Sequence, residues 1–297
     1  MDVQRLAANG LEIAYQTFGD PAHPPMVLVM GLGTQMLGWP EALCRDLAAQ
    51  GFYVVRFDNR DSGESTHLVE LGTPDVVKVA LHRQRALYAI EDMATDTMAF
   101  IDALGLGRVH LIGASMGGFI AQAVAVRAPS RLASLTLFMT STGSRRVGYA
   151  SRKVVTAVLR TRPAAGRAGA IQASIDMYRL IGSRDYPIEP EFAHELAGQS
   201  YDRGYDPAGS ARQLAAIVVQ PNRRAALARL RLPTLVIHGL HDPLVSVSGG
   251  IALARTIPGA RLVAFHGMGH DLPRALWPDF IAEITALTAR APAAVSA

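Results

Sequence analysis

The chain has 297 residues, of which 49% are hydrophobic and 18% are charged, a balance that is typical of a globular protein with a substantial core. This composition excludes an intrinsically disordered chain, and no apolar run reaches the roughly 18 residues that span a bilayer. The net charge is +4, and its basic excess between residues 143 and 231 is scattered and without interleaved aromatics, so we expect no nucleic-acid partner.

Cys44 is the only cysteine, so an internal disulfide is impossible and a reducing compartment is favoured. Residues 1–10 lack the apolar core of a signal peptide. We therefore expect a cytoplasmic protein in which Cys44 is a core residue of a helix. A homodimer is one possible oligomeric state.

The first half of the chain predicts strands that alternate with helices. Residues 2–18 alternate between apolar and polar side chains and predict two antiparallel strands at a sheet edge, joined at Asn9-Gly10, a pair that suits a type I′ turn. Residues 66–88 show no clear pattern. Buried strands are predicted at 26–30, 53–58, 109–113 and 132–139, and helices at 40–50, 91–104 and 116–128.

The alternation stops between about residue 141 and residue 231, where short helical segments are separated by glycine and proline. We interpret 141–231 as a helical cap inserted into a core of residues 1–140 and 232–297. The whole pattern predicts a mostly parallel α/β sheet with helices on both faces, which binds ligands at the carboxyl ends of its strands. Strands at 234–238 and 261–265 and helices at 247–257 and 277–290 complete the core, and the tail to residue 297 is expected to fray.

Ser115 stands in Gly113-Ala-Ser115-Met-Gly117, between a predicted strand and a predicted helix. So tight a turn strains the serine backbone and lifts its hydroxyl clear of the sheet, and the flanking glycines remove Cβ atoms that would clash. The free N–H groups of the following helix face an anion that develops there. The pattern makes Ser115 the candidate nucleophile; the alternative is a glycine-rich turn with an incidental serine.

A serine nucleophile needs a base that takes its proton and a carboxylate that orients the base. His270 follows the strand 261–265 on a glycine-rich loop, and Asp242 follows the strand 234–238. We therefore select His270 as the base and Asp242 as the orienting carboxylate. The chain order serine, aspartate, histidine differs from the orders in chymotrypsin-like and subtilisin-like proteases.

The oxyanion that forms during attack on a carbonyl needs donors that are in place beforehand. Leu32, in the glycine turn after the strand 26–30, and Met116, next to the nucleophile, offer backbone N–H groups for this role. An apolar pocket beside them has five candidate lining residues, each of which is as readily explained as ordinary core: Met36, Trp39, Met139, Leu244 and Met268.

Other residues compete for the same roles. Asp271 is a rival orienting carboxylate, although neighbours in sequence seldom point at each other, and His266 is a rival base. Asp58, Arg60 and Asp61 resemble catalytic side chains, but we favour a charged network that ties loops together. A metal site formed through His-x-x-His spacing is disfavoured, because strand geometry points its first two histidines in different directions; its candidate ligands are His238, His241, His266 and Asp242.

These motifs together resemble those of the α/β-hydrolase superfamily over nearly the whole chain. Residues 29–40 and 56–63 look like the bacterial esterases of the aclacinomycin methylesterase group. The superfamily more often has a histidine before Gly31, but that difference removes a side chain and keeps the amide that we assign to the oxyanion hole. The matching segments are Met30-Gly31-Leu32, residues 58–65, residues 113–118, His238-Gly239 to Asp242, and Gly269-His270.

The resemblance implies a cofactor-free hydrolase with an eight-stranded sheet and a helical cap. With the candidate triad it predicts cleavage of a small-molecule carboxylic ester, of small to medium size and hydrophobic, through an acyl-enzyme. The alternatives are a hydrolase of carbon–carbon bonds in meta-cleavage-type products, a lactonase, and a non-catalytic ligand-binding protein on this fold. The fold alone does not select among them, because it hosts many activities.

Overall fold

The computed structural model describes residues 2–160 and 164–290 of the chain. Its centre is one eight-stranded sheet, whose strands are β1 (Gln4–Ala8), β2 (Leu11–Phe18), β3 (Pro25–Val29), β4 (Tyr53–Phe57), β5 (Val109–Ala114), β6 (Leu132–Phe138), β7 (Thr234–Gly239) and β8 (Arg261–Phe265). They lie in the order β1-β2-β4-β3-β5-β6-β7-β8. Strand β2 is antiparallel to both of its neighbours, and every other neighbouring pair is parallel. The predicted fold class is confirmed.

The edge hairpin follows from two residues that accept positive φ. Asn9 has φ of 50° and Gly10 has φ of 75°, the combination that a type I′ turn requires. The turn joins β1 to β2 with Ala8 opposite Leu11. The predicted turn is confirmed, and it leaves β1 as the outer strand of the sheet.

The central strands are buried on both faces, as their continuous apolar sequences predict. Every residue of β5, β6 and β7 is buried. Because these strands are parallel, their carboxyl ends meet at one edge: Ala114 lies beside Phe138, Phe138 beside Ile237, and Gly239 beside Phe265. The loops that follow β3, β5, β7 and β8 therefore open onto one side of the molecule.

Alternate residues of β3 show how the two faces are filled. Val27 and Val29 pack in one apolar cluster with residues of the helices that cover one face, whereas Met26 and Leu28 pack in a second cluster on the other. Cys44 lies in the second cluster, buried in the first helix. The helices of the core are α1 (Glu41–Ala48), α2 (Val76–Ala80), α3 (Ile90–Ala103), α4 (Met116–Arg127), α10 (Ser248–Thr256) and α11 (Trp277–Thr288).

The described part of 141–231 contains helices and no strand, as the end of the alternation predicts. The division of the chain into a cap of residues 141–231 and a core stays a prediction. Among the described helices, none combines the length and the apolarity that crossing a bilayer requires. The predicted tail at 291–297 lies outside the described residues. The helices between β6 and β7 are α5 (Arg152–Arg160), α6 (Gly166–Ile181), α7 (Pro190–Gly204), α8 (Pro207–Val219) and α9 (Arg224–Leu227).

Candidate active site

Ser115 lies between β5 and α4 in the strained turn that its sequence predicts. Its φ is 55° and its ψ is −116°, a backbone conformation that residues other than glycine rarely adopt. A Cβ on Gly113 would lie 2.2 Å from the carbonyl oxygen of Gly117, and one on Gly117 would lie 2.2 Å from that of Val29. The two glycines are thus required by close backbone approach, and a strained serine is held at the carboxyl end of the central strand.

The turn after β3 passes directly beside the serine. A Cβ on Gly31 would lie 3.2 Å from Ser115 Cβ and 3.7 Å from Ser115 Oγ, so the backbone from Gly31 to Leu32 borders the hydroxyl. Met116 is the first residue of α4, where N–H groups have no partner inside the helix. Asn59 steadies the turn by donating its side-chain N–H to the Met30 carbonyl, 3.0 Å away. The segments that carry Leu32 and Met116 therefore meet at Ser115, and the assignment of their amides to an oxyanion hole stays a prediction.

His270 and Asp242 form a buried hydrogen-bonded pair at the same edge of the sheet. His270 Nδ1 lies 2.7 Å from Asp242 Oδ2, and the side chains are 8% and 0% exposed. Because an ionised carboxylate only accepts, the imidazole proton stands on Nδ1 and the lone pair on Nε2. Asp242 Oδ1 accepts the backbone N–H groups of Leu244 and Val245, at 2.9 and 2.8 Å, which fixes the carboxylate.

The environment of Asp242 keeps it ionised. Burial by itself raises its pKa, but attraction to His270 and hydrogen bonds from His238 and His270 more than offset this and bring the pKa to about 2. The buried imidazole of His238 donates from Nε2 to the Val245 carbonyl at 2.7 Å, and this nitrogen lies 3.5 Å from Asp242 Oδ2. His238 therefore belongs to the support of Asp242, a role that its sequence position alone did not reveal.

The contact between Ser115 and His270 stays a prediction. Hydrogen bonds among the described residues include none between Ser115 Oγ and the imidazole. In enzymes without substrate such bonds are often long and tighten when the reacting complex forms. The structure thus shows the Asp242–His270 hydrogen bond and the strained turn of Ser115, and their union in a triad stays a prediction.

The rival candidates lie elsewhere. Both carboxylate oxygens of Asp271 bind Ser183 of the segment after α6, through its backbone N–H and its hydroxyl. His266 is a surface residue, 77% exposed, whose Nδ1 lies 3.2 Å from Asp185. His241 Nδ1 accepts the N–H of Gly267. This arrangement favours Asp242 and His270 over Asp271 and His266.

A charged network links the loop after β4 to the helices above it. Arg203, on α7, donates to Asp58 at 2.8 Å, and Arg212, on α8, forms a two-pronged pair with Asp61 at 2.9 and 2.7 Å. Arg60 pairs in the same way with Asp96 on α3. The geometry supports the network that the sequence favoured for Asp58, Arg60 and Asp61.

Asp61, His67 and Asp206 bring three potential metal-ligand atoms, two carboxylate oxygens and one imidazole nitrogen, within 4.8 Å of one another. The guanidinium of Arg212 already binds both carboxylates, at 2.7 and 3.1 Å. His67 lies 2.8 Å from Asp206 and 2.9 Å from the Gly63 carbonyl. These contacts describe an ion-pair cluster in which an arginine supplies the positive charge.

The predicted pocket residues do not line the cavity that adjoins the His270 loop, and neither Ser115 nor His270 lines it. Met36, Trp39, Met139 and Met268 are all at most 3% exposed, which favours the core role that the sequence left open for them, and Leu244 is half-buried. A cavity of about 810 Å³ lies between the segment 178–203 and the loops after β3 and β8. Its apolar wall includes Leu37, Tyr178, Tyr186, Phe192, Leu196 and Trp277. Sequence reasoning missed this wall because the segments that supply it carry no motif.

The fold and the site define the class of protein. The family described as the alpha/beta hydrolase fold matches residues 24–273, and the chain belongs to it. Rhodomycin D methylesterase DauP of Streptomyces sp. (strain C5) is 29% identical, with 97% of this chain and 98% of that protein covered. 3-oxoadipate enol-lactonase 2 of Acinetobacter baylyi is 27% identical, with 85% and 84% covered. The esterase RhEst1 from Rhodococcus sp. ECU1013 has a similar fold, with a TM-score of 0.75, 24% identity, and 98% and 100% covered.

Proposed function

We propose that this protein hydrolyses carboxylic esters through an acyl-enzyme on Ser115. The observation that carries the proposal is the hydrogen bond between His270 Nδ1 and Asp242 Oδ2 at the sheet edge where Ser115 stands in its strained turn. This pair presents a lone pair on Nε2 as the base that a serine hydroxyl needs. The similarity to a methylesterase over nearly the full chain supports the same activity.

In the proposed reaction, His270 Nε2 takes the proton of Ser115 as Oγ attacks the ester carbonyl. The carbonyl oxygen becomes an oxyanion, which the N–H groups of Leu32 and Met116 stabilise. The carbon–oxygen bond to the alcohol then breaks, and the imidazolium gives its proton to the leaving alcohol. Water attacks the acyl-enzyme with His270 again as base, and the acid and the free serine are released.

Asp242 makes the proton transfers favourable. Its pKa of about 2 keeps it negative throughout the neutral range, so it stabilises the positive imidazolium that forms in each half of the reaction. Its hydrogen bond to Nδ1 also keeps the imidazole from turning its lone pair away from Ser115. The carboxylate thus stabilises charge and orients the base without exchanging a proton.

For the substrate we propose a hydrophobic ester of small to medium size. The cavity of about 810 Å³ adjoins the His270 loop through Asp271 and Leu272, and its wall is mostly aromatic and aliphatic. Pockets of this volume enclose drug-sized molecules. A hydrophobic methyl ester fits both this wall and the name of the similar methylesterase.

A lactonase is the second candidate, because opening a lactone uses the same acyl-enzyme and the similar enol-lactonase covers most of the chain. The two candidates differ in the leaving alcohol, which remains attached to the acyl group in a lactone. A panel of esters, lactones and a ring-cleavage dienoate separates them, and the highest kcat/KM identifies the substrate class.

The decisive test replaces the nucleophile. We expect Ser115→Ala to lower kcat on p-nitrophenyl butyrate by on the order of 10⁴ to 10⁶, with the fold retained. A fluorophosphonate should label the original protein and the control Ser130→Ala, whose serine is exposed beyond the far end of α4, but not Ser115→Ala. Near-normal turnover by a folded Ser115→Ala variant refutes the proposal.

We also propose a cytoplasmic location, which the single buried cysteine supports because no internal disulfide is available. The homodimer stays a prediction, and light scattering of the purified protein measures the mass that tests it.

A further inference from the structure

The segment that follows α6 is bonded to the loop that carries His270. The backbone N–H of His270 donates to the Ile181 carbonyl at 2.7 Å. The N–H of Arg184 donates to the Gly267 carbonyl at 2.9 Å, three residues before His270. The contact is close as well as polar, since a Cβ on Gly269 would lie 2.4 Å from the Gly182 carbonyl carbon. The backbone of the base and of the residues that precede it is therefore held by the segment 181–185.

Ser183 stands at the centre of this contact, with 8% of its surface exposed. Its hydroxyl oxygen accepts the N–H of Gly269 at 2.9 Å and donates its proton to Asp271 Oδ1. Its backbone N–H donates to Asp271 Oδ2 at 3.1 Å. One serine thus binds the residue before His270 and the residue after it.

We propose that Ser183 is a positioning residue for His270, so that the segment after α6 sets the place of the catalytic base. The inference rests on the proposed function, because it concerns the base of that reaction. Asp242 holds the imidazole at Nδ1 and the Ile181 carbonyl holds the N–H of His270, but neither contact fixes the flanking residues Gly269 and Asp271. The hydroxyl of Ser183 binds both of them.

Removing the hydroxyl leaves the buried Gly269 N–H and one oxygen of the part-buried Asp271 without this partner. Such groups cost free energy until they move toward water or another partner, so the loop relaxes and carries His270 with it. A displacement of about 1 Å between a base and its nucleophile costs as much as 10²-fold in rate. Substrate binding in the cavity need not change, and the loss should fall on kcat.

The experiment compares Ser183→Ala with Ser183→Thr, which keeps the hydroxyl. We expect Ser183→Ala to lower kcat on p-nitrophenyl butyrate by about 10- to 100-fold with KM within about twofold, and Ser183→Thr to retain kcat within about threefold. Hydrogen exchange of the amides in 266–271 should accelerate in the alanine variant alone. The downfield proton resonance of the Nδ1–H of His270 should broaden or shift in the same variant.

Two further variants keep the test decisive. Arg167→Ala breaks an exposed ion pair between α6 and α7, in which Arg167 and Asp202 are 52% and 56% exposed, and should leave kcat and exchange in 266–271 unchanged. Asp271→Asn disturbs the clamp from its other end, so it should lower kcat as well, and its combination with Ser183→Ala should cost less than the two effects multiplied together.

The inference is overturned if folded Ser183→Ala keeps full kcat, if Ser183→Thr loses as much as Ser183→Ala, or if Arg167→Ala produces the same change. Should Ser183→Ala not fold, Asp271→Asn decides alone, and unchanged kcat there overturns it. Ser115→Ala is measured alongside: activity that survives in it refutes the proposed function, whereas activity lost in it but kept in Ser183→Ala refutes only the positioning role.

Discussion

His270 Nδ1 and Asp242 Oδ2 lie 2.7 Å apart in a setting that water does not reach from the carboxylate side. The other oxygen, Oδ1, accepts the backbone N–H groups of Leu244 and Val245, and His238 Nε2 lies 3.5 Å from Oδ2. The carboxylate therefore has one orientation, and that orientation determines which nitrogen of His270 holds the proton.

Replacing Asp242 by asparagine tests this dependence. The amide keeps the shape of the side chain but loses the charge, and where its NH₂ group faces His270 it forces the proton onto Nε2. We expect kcat of Asp242→Asn to fall by on the order of 10⁴. Asp279→Asn, an exposed change at the start of α11, should leave kcat unaltered. Equal activity in the two variants would contradict the role of Asp242.

The nucleophile turn predicts a specific steric cost. A Cβ on Gly113 would overlap the carbonyl of Gly117 at 2.2 Å, whereas one on Gly107 would meet nothing within 4 Å. Gly113→Ala should lower the free energy of unfolding by about 1–3 kcal/mol or more, and Gly107→Ala should change it by less than about 0.5 kcal/mol. Urea unfolding measures both variants. Similar midpoints would show that the turn yields more readily than its contacts indicate.

Arg212 and Asp61 should contribute strongly to stability because both are buried. Their side chains are 1% and 0% exposed, so removing the arginine leaves a buried carboxylate without its main partner. We expect Arg212→Met to lower the free energy of unfolding by about 3–5 kcal/mol. The exposed pair of Arg167 with Asp202 provides the comparison, and Arg167→Met should cost less than about 1 kcal/mol. Thermal unfolding measures both variants. Equal losses of stability would show that the buried pair contributes no more than the exposed one.

His110 predicts a loss of stability in mild acid. It is 6% exposed on β5, and burial, with a smaller contribution from Arg108, lowers its pKa from 6.5 to about 4. The unfolded chain therefore binds the proton first as the pH falls, and the free energy of unfolding decreases between pH 6.5 and 4, by at most about 3 kcal/mol.

The variant His110→Asn isolates this effect, because asparagine retains an amide near the Ser134 hydroxyl, which lies 2.8 Å from Nδ1. Its stability should depend less on pH in that window than the stability of the original protein. Chemical unfolding at a series of pH values measures the two slopes. Parallel slopes would show that other groups cause the acid sensitivity.

The sequence predicted the parts of this fold that depend on local patterns. The buried strands read as continuous apolar runs, and β8 occupies the residues assigned to it, Arg261–Phe265. Helix α4 was predicted one residue longer than its end at Arg127. The segment 66–88 showed no pattern because its helix, α2, has only five residues, Val76–Ala80. This helix packs against α8.

Only the parts of the site that carry a sequence motif could be predicted. The serine turn and the two loops after β7 and β8 carry glycines and polar residues at fixed places. Nothing in the sequence pairs Arg203 with Asp58 or Ser183 with Asp271, because each pair joins residues more than 80 positions apart. The cavity wall has the same origin: Tyr178 and Phe192 belong to helices whose position over the sheet is set by tertiary contacts.

The attachment of residues 181–185 to the histidine loop bears on how such enzymes can be recombined. A chimera that takes its substrate-covering helices from a relative also takes a new partner for the backbone around His270. A graft that replaces residues 181–185 together with the helices would alter turnover, even when it was intended to alter selectivity alone. A library that retains Ile181 to Asp185 and varies the remaining helices would let selectivity change while turnover is preserved.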